Sequence, residues 1–169
     1  MKLRKAIPLI FLASIIMSCA REKDKTIQED TSSAPQQETY NIHLQVKEFE
    51  AKRIEVFSEK ATYSGDTINL INFKVNFFDK GEVTATMVGD TGTIVENSGF
   101  MEARGKVKLV STSGDSLISN VLIWNQKLNL IYSPTESYLY KENKIIRSSG
   151  LESDPGLKTI KFKGKVYVE

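Results

Sequence analysis

The chain has 169 residues, 26% of them charged and 40% hydrophobic, with one Cys, one His and one Trp. That length suits a single domain with a leader, and the single Cys excludes an intramolecular disulfide. The formal charge of +2 belongs to the leader: residues 1–18 carry Lys2, Arg4 and Lys5, and without them 20 Lys and Arg face 21 Asp and Glu, a balance that excludes a field strong enough to gather nucleic acid.

Residues 1–18 have the layout of an export signal. A basic start is followed by the apolar run from Ala6 to Met17, broken only by Pro8 and Ser14, and then by Ser18-Cys19. The run is short for a membrane span. Ile16-Met17-Ser18-Cys19 resembles a bacterial lipobox, in which Cys19 becomes the first mature residue and is acylated, palmitate included. Several acyl chains on one Cys hold a protein to a bilayer far more firmly than one chain does. The expectation is therefore a protein tethered to a membrane without crossing it. Ala20 and Arg21 stand after the Cys, with no Asp at the position that retains lipoproteins at the inner membrane in some cells. The reading prefers an inner-membrane anchor and keeps the outer membrane as the alternative. From Ala20 to Thr39 only Ile27 is large and apolar, so residues 19–39 read as the acylated Cys and a disordered linker, and residues 40–169 as the domain.

The domain opens with Tyr40, Ile42, Leu44 and Val46 alternating with polar residues, a half-buried strand with His43 on its wet side. In the next stretch Ile54 and Val56 share one parity and Phe57, Ala61 and Tyr63 the other, which predicts a bulge near Val56-Phe57. Ile71, Phe73, Val75 and Phe77 then alternate with polar residues, and Asp79-Lys80-Gly81 predicts a turn before Val83, Ala85 and Met87. Three tripeptides repeat at intervals of 24 and 25 residues: Gly65-Asp66-Thr67, Gly89-Asp90-Thr91 and Gly114-Asp115-Ser116. Each reads as a turn, because Gly tolerates positive φ and Asp bonds to backbone just ahead, and the interval suggests stacked two-strand repeats. Between the last two, Met101, Ala103, Val107 and Leu109 point one way and Glu102, Arg104, Lys106 and Lys108 the other. Leu117 and Ser119 differ in parity from Leu122 and Trp124, so a second bulge is expected near Asn120-Val121. Weaker strands are read at Leu128 to Ile131 and Tyr138 to Tyr140, and a clear one at the C-terminus, where Ile160, Phe162, Val166 and Val168 alternate with Lys161, Lys163 and Lys165. No segment of the domain has a helical period. The fold class is all-β, a many-stranded antiparallel folded sheet.

The chemistry inventory contains no nucleophile with a base, no phosphate loop and no ligand cluster for a metal, so the reading is a non-enzymatic protein without cofactors. His43 is the only His and reads as a solvated polar residue. The carboxylates sit in turns or on wet faces. What remains are inward apolar side chains, among them Phe57, Phe73, Phe77, Met101, Leu109, Leu122 and Trp124, which either fill a closed core or line a groove for an apolar ligand.

The stretch from Gly99 to Leu109, followed by Gly114, Leu117, Ser119, Leu122 and Trp124, resembles the LptC family of lipopolysaccharide-transport proteins. Ala61-Thr62-Tyr63, Ala85 to Gly89, Ser149-Gly150-Leu151 and the Val166 strand fit the same pattern. The resemblance implies a β-jelly-roll, or folded-sheet "taco", whose interior holds the acyl chains of lipopolysaccharide or lipooligosaccharide. It implies a periplasmic component that receives lipid from an ATP-driven inner-membrane complex of LptB, LptF and LptG. The lipid would pass to an LptA-like bridge protein, docked along the C-terminal strand through Ile160, Phe162, Val166 and Val168. The chain departs from the family in carrying a lipobox where a membrane helix is common. The alternative is a structural or adhesive surface lipoprotein with a closed core and no lipid cargo.

Overall fold

A computed structural model describes residues 37–47 and 53–169 of the chain. The export signal, Cys19 and the linker up to residue 36 lie outside the described residues. Those described contain no helix, and they form ten strands in one sheet: β1 Gln37–Lys47, β2 Arg53–Ser64, β3 Thr67–Asp79, β4 Glu82–Val95, β5 Phe100–Ser111, β6 Ser116–Asn125, β7 Leu130–Ser133, β8 Ser137–Lys141, β9 Lys144–Ser153 and β10 Ile160–Val168. Every pairing is antiparallel. The order follows the chain from β1 to β6; β7 and β8 then lie end to end between β6 and β9, and β10 closes the path. The expected folded antiparallel sheet is thus a continuous meander with β1 and β10 at its two edges.

The sheet is creased across its strands. Alternation of buried and exposed side chains predicts a single inward parity per strand, yet the parity switches partway along most of the long strands. In β3, Ile68 and Leu70 are buried, Ile71 and Asn72 are exposed, and Phe73, Val75 and Phe77 are buried. In β2 the switch falls between Ser58 and Ala61, and in β6 between Ser119 and Leu122. Register places these switches opposite one another. Asn41 stands opposite Glu59, Glu59 opposite Asn72 and Asn72 opposite Asp90, while the β4–β5 and β5–β6 pairings are interrupted at Val88/Thr91 and Arg104/Val107. The β7–β8 break and a register shift at Lys163/Val166 carry the line to the other edge. Positive φ at Asn41, Asn72, Gly105, Lys106 and Gly164 makes the bend. A left-handed residue turns the chain and drops one position from the alternation, and Asn and Gly take that conformation at least cost.

The crease divides each long strand into two halves, and the halves form two walls. The first wall presents Ile54, Val75, Phe77, Met87 and Leu109 inward; the second presents Ile68, Leu70, Met101, Leu122 and Trp124. All belong to one buried cluster. The walls close on each other, because Phe77 of β3 meets Trp124 of β6 edge to face with centroids 5.5 Å apart. In a flat sheet strands three places apart are separated by about 14 Å.

Several expectations are corrected here. Gly89-Asp90-Thr91 is no turn; it lies inside β4 at the crease, whereas the copies at Gly65 and Gly114 are hairpin turns. The repeats are therefore not equivalent units. Gly89 and Gly92 serve the bend by giving space to Phe73: a Cβ at Gly89 would stand 2.9 Å from that ring, and one at Gly92 3.2 Å from it. Tyr40 and Ile71, expected inward, are exposed because of positive φ at Asn41 and Asn72. Val83 is also exposed, past a register shift at Phe77/Phe78. Leu128 lies in the turn before β7, the long strand β9 was not expected, and β1 begins at Gln37 inside the expected linker.

Candidate functional site

The inner surface between the walls gathers the buried apolar side chains of the sheet. Of the seven side chains expected there, Met101, Leu109 and Leu122 are fully buried and Phe73, Phe77 and Trp124 nearly so. Phe57 is on the other face, and the inward assignment is corrected. The β2 parity switch falls at Glu59-Lys60, three residues later than expected, so Ile54, Val56 and Ser58 point in and Phe57 points out. Its ring stacks on His43, with centroids 4.3 Å apart, and the Lys74 ammonium lies 4.7 Å from its centroid on the neighbouring strand. His43 is exposed there, as the sequence implied.

The interior is packed in its middle and opens at one end. A cavity of about 220 Å³ lies between the free ends of the walls near β1. Leu44 and Ile54 contribute from the first wall, Ile68, Ile94, Met101 and Trp124 from the second, with Glu96 and Gln126 also among its lining residues. An apolar lining with a few polar groups is the composition of a site for an apolar ligand. Ile54, Ile68 and Ile94 were not singled out in the sequence. The even parity of Ile54 with Val56 was a readable signal for the first. Ile68 and Ile94 are hidden, since each sits beyond the crease on the parity opposite to the rest of its strand.

Trp124 joins this cavity to a second one of about 120 Å³, lined also by Ile54, Phe77 and residues 154–156. Its indole Nε1 is buried and has no hydrogen-bond acceptor among the described residues. A buried donor without a partner is costly, and the residue that carries it lines both cavities. The other polar groups near the crease are largely satisfied among themselves: Ser119 Oγ lies 2.9 Å from Ser133 Oγ and 3.1 Å from Thr135 Oγ1, and Ser137 Oγ donates to the Thr135 carbonyl. Among the described residues Ser148 Oγ lacks a partner, like Trp124 Nε1.

The sheet edges have different characters. On β10, Ile160 and Phe162 pack against the core, whereas Val166 and Val168 are 43% and 63% exposed. Lys161, Lys163 and Lys165 face outward, and Lys163 pairs with Glu152 at 3.2 Å. At the β1 edge Lys60 and Glu38 pair at 2.6 Å. That hydrogen bond holds the Glu38 carboxyl below its ordinary range and the Lys60 ammonium above its own. The Glu136 carboxylate accepts from the Tyr138 hydroxyl at 2.8 Å and raises the phenol. Among the described residues no three His, Cys, Asp or Glu side chains gather as a metal site would need.

No protein-family model matches the chain, and no curated protein matches it. Among solved structures it is similar to the crystal structure of LptH, the LptA-homologous periplasmic component of the conserved lipopolysaccharide transport device from Pseudomonas aeruginosa. The identity is 8%, the match covers 80% of this chain and 94% of that one, and the TM-score is 0.46.

Proposed function

We propose that the protein is a non-enzymatic periplasmic lipid-transfer component. It accepts lipopolysaccharide or lipooligosaccharide from an inner-membrane ABC transporter of the LptB, LptF and LptG type and passes it to an LptA-like bridge protein. The observation that carries this reading is the apolar mouth between the two walls, continuous through Trp124 with the buried interior. A folded sheet can spread to admit acyl chains and keep their glycan in water. The unpartnered Trp124 N–H offers a donor to an ester or amide carbonyl at the head of such a chain. Photo-reactive residues at Ile68, Ile94 and Phe77 are expected to label the glycolipid in an ATP-dependent way, and residues at Lys74 and Asn76 are not. Equal labelling from both sets contradicts the reading.

Cys19 is the proposed anchor, holding the domain at a membrane. Cys19→Ser is expected to lose acylation and release the protein to the soluble fraction; a natural mature protein of unlipidated mass contradicts the anchor. Docking of the bridge protein is assigned to the β10 edge, where backbone groups pair and the outer lysines select an acidic partner strand. Removal of residues 160–169 from a protein that stays folded is expected to abolish that contact. Unchanged affinity of the folded truncation leaves the lysines as a guard against indiscriminate pairing.

The close packing of Phe73, Leu109 and Leu122 favours a second reading, a closed-core structural or adhesive lipoprotein. Protease treatment of intact cells separates the two, since a surface protein is cut and a periplasmic one is spared.

A further inference from the structure

The six residues 154–159 connect β9 to β10, which are antiparallel neighbours that a shorter hairpin could join. The connection runs over the surface only at Lys158 and Thr159, which are exposed. Pro155, Gly156 and Leu157 are buried, Leu157 completely, and Leu157 belongs to the same cluster as Phe77 and Trp124. Residues 154–156 and Lys158 line the smaller cavity opposite Ile54, Phe77 and Trp124, so the loop leaves the free end of the second wall and lies across to the first.

Its attachments are few. Asp154 closes the loop on itself, its carbonyl accepting from Leu157 N at 3.0 Å and its carboxylate from Thr159 N at 2.6 Å. Lys141, at the end of β8 on the first wall, donates to the Leu157 carbonyl at 3.5 Å and forms an ion pair with Asp115. Leu157 itself has φ +57°, a left-handed conformation that a leucine adopts at a cost. A fully buried leucine held in a strained backbone, its carbonyl tied to the first wall by the long side chain of Lys141, stores a preference for leaving that its burial opposes.

We propose that residues 154–159 are a displaceable plug. Leu157 occupies a subsite for an acyl chain, and a chain that enters at the mouth near β1 and advances toward the β10 edge takes its place as Lys141 releases the loop. This rests on the reading of the interior as an acyl site, and deepens it. The mouth cavity, at about 220 Å³, falls short of the roughly 300–1,000 Å³ of ordinary ligand sites. The smaller cavity is lined by the neighbours of Leu157 on both sides, so with the loop displaced the two cavities and the volume of Leu157 would form one channel.

The test uses a lauroyl lysophosphatidylcholine as probe, with glycerophosphocholine as the chainless control. Amide exchange at Leu157 and Thr159, whose N–H groups are bonded to Asp154, is expected to quicken severalfold when the lysolipid binds, while β5 and β6 stay protected. Lys141→Met removes the latch and keeps the aliphatic stem; Leu157→Gly removes the plug and suits the positive φ. Each is expected to tighten lysolipid binding about fivefold, since apparent affinity scales with the fraction of molecules already open. Lysolipid binding with unchanged exchange in the loop and equal affinity in the variants overturns the plug and leaves the acyl site standing. No lysolipid binding by any of the proteins overturns the acyl site and the plug with it. Should Leu157→Gly fail to fold, Lys141→Met and the exchange of the unaltered protein decide the matter alone.

Discussion

Phe77 on β3 and Trp124 on β6 meet edge to face across the interior although two strands separate them in the sheet. Their contact is the seam by which the two walls hold together. Phe77→Ala and Trp124→Ala are each expected to cost about 3–5 kcal/mol in urea unfolding. A double-mutant cycle with the milder Phe77→Leu and Trp124→Phe should return a coupling of about 0.5–1.5 kcal/mol. Additive effects would mean that the rings stabilise their walls separately.

The bend in β4 depends on the missing side chain of Gly89. Gly89→Ala places a Cβ 2.9 Å from the Phe73 ring, and is expected to destabilise by about 1–3 kcal/mol. Phe73→Leu in that background should recover part of the loss by opening space, while costing stability in the natural protein. Equal effects of Phe73→Leu in both backgrounds would show that the ring and the glycine do not meet.

The same bend decides how much of the fold was legible. β5 could be read directly, because Met101, Ala103, Val107 and Leu109 keep one parity through an interruption whose inserted residues restore it. The switch in β6 was also legible, since Leu122 and Trp124 are large enough to announce the changed parity. Asn72 hid the switch in β3: Ile71-Asn72-Phe73 reads as unbroken alternation, yet φ +50° at Asn72 sends Ile71 outward. Sequence alternation assumes extended backbone throughout, and one left-handed residue invalidates it downstream. For that reason Ile68 at the mouth was missed. β2 and β4 change parity without a left-handed residue, at Glu59-Lys60 and beside the register shift at Val88/Thr91, and so Phe57 was placed on the wrong face and Ile94 was missed. Asn72→Gly is expected to be near neutral and Asn72→Val to cost about 1–2 kcal/mol; equal stability of the two would remove the left-handed residue from the account of the crease.

At the β1 edge, the Glu38–Lys60 hydrogen bond fixes the sign of a pH effect. The Glu38 carboxyl is held below its ordinary range, so its contribution to stability is present above that range and fades as pH falls. The Lys60 ammonium is held above its own, so its contribution is present at neutral pH and fades only as pH rises into the alkaline range. Both groups are exposed and the pair contributes little. Carbon-detected NMR titration is expected to find the Glu38 midpoint below the ordinary carboxylate range in the unaltered protein, and Lys60→Met to raise it toward that range. An unchanged Glu38 midpoint in that variant would assign the shift to another cause.

Trp124 is the only tryptophan in the chain, it is 3% exposed, and it lines both interior cavities. Its fluorescence therefore reports on the interior without any substitution. A lysolipid with a brominated acyl chain is expected to quench that emission saturably, the unbrominated chain to leave it unquenched, and aqueous iodide to quench little. Full emission at brominated-lipid concentrations that saturate binding to the protein would place the lipid outside the two walls, and would contradict the claim that the folded sheet carries acyl chains between them.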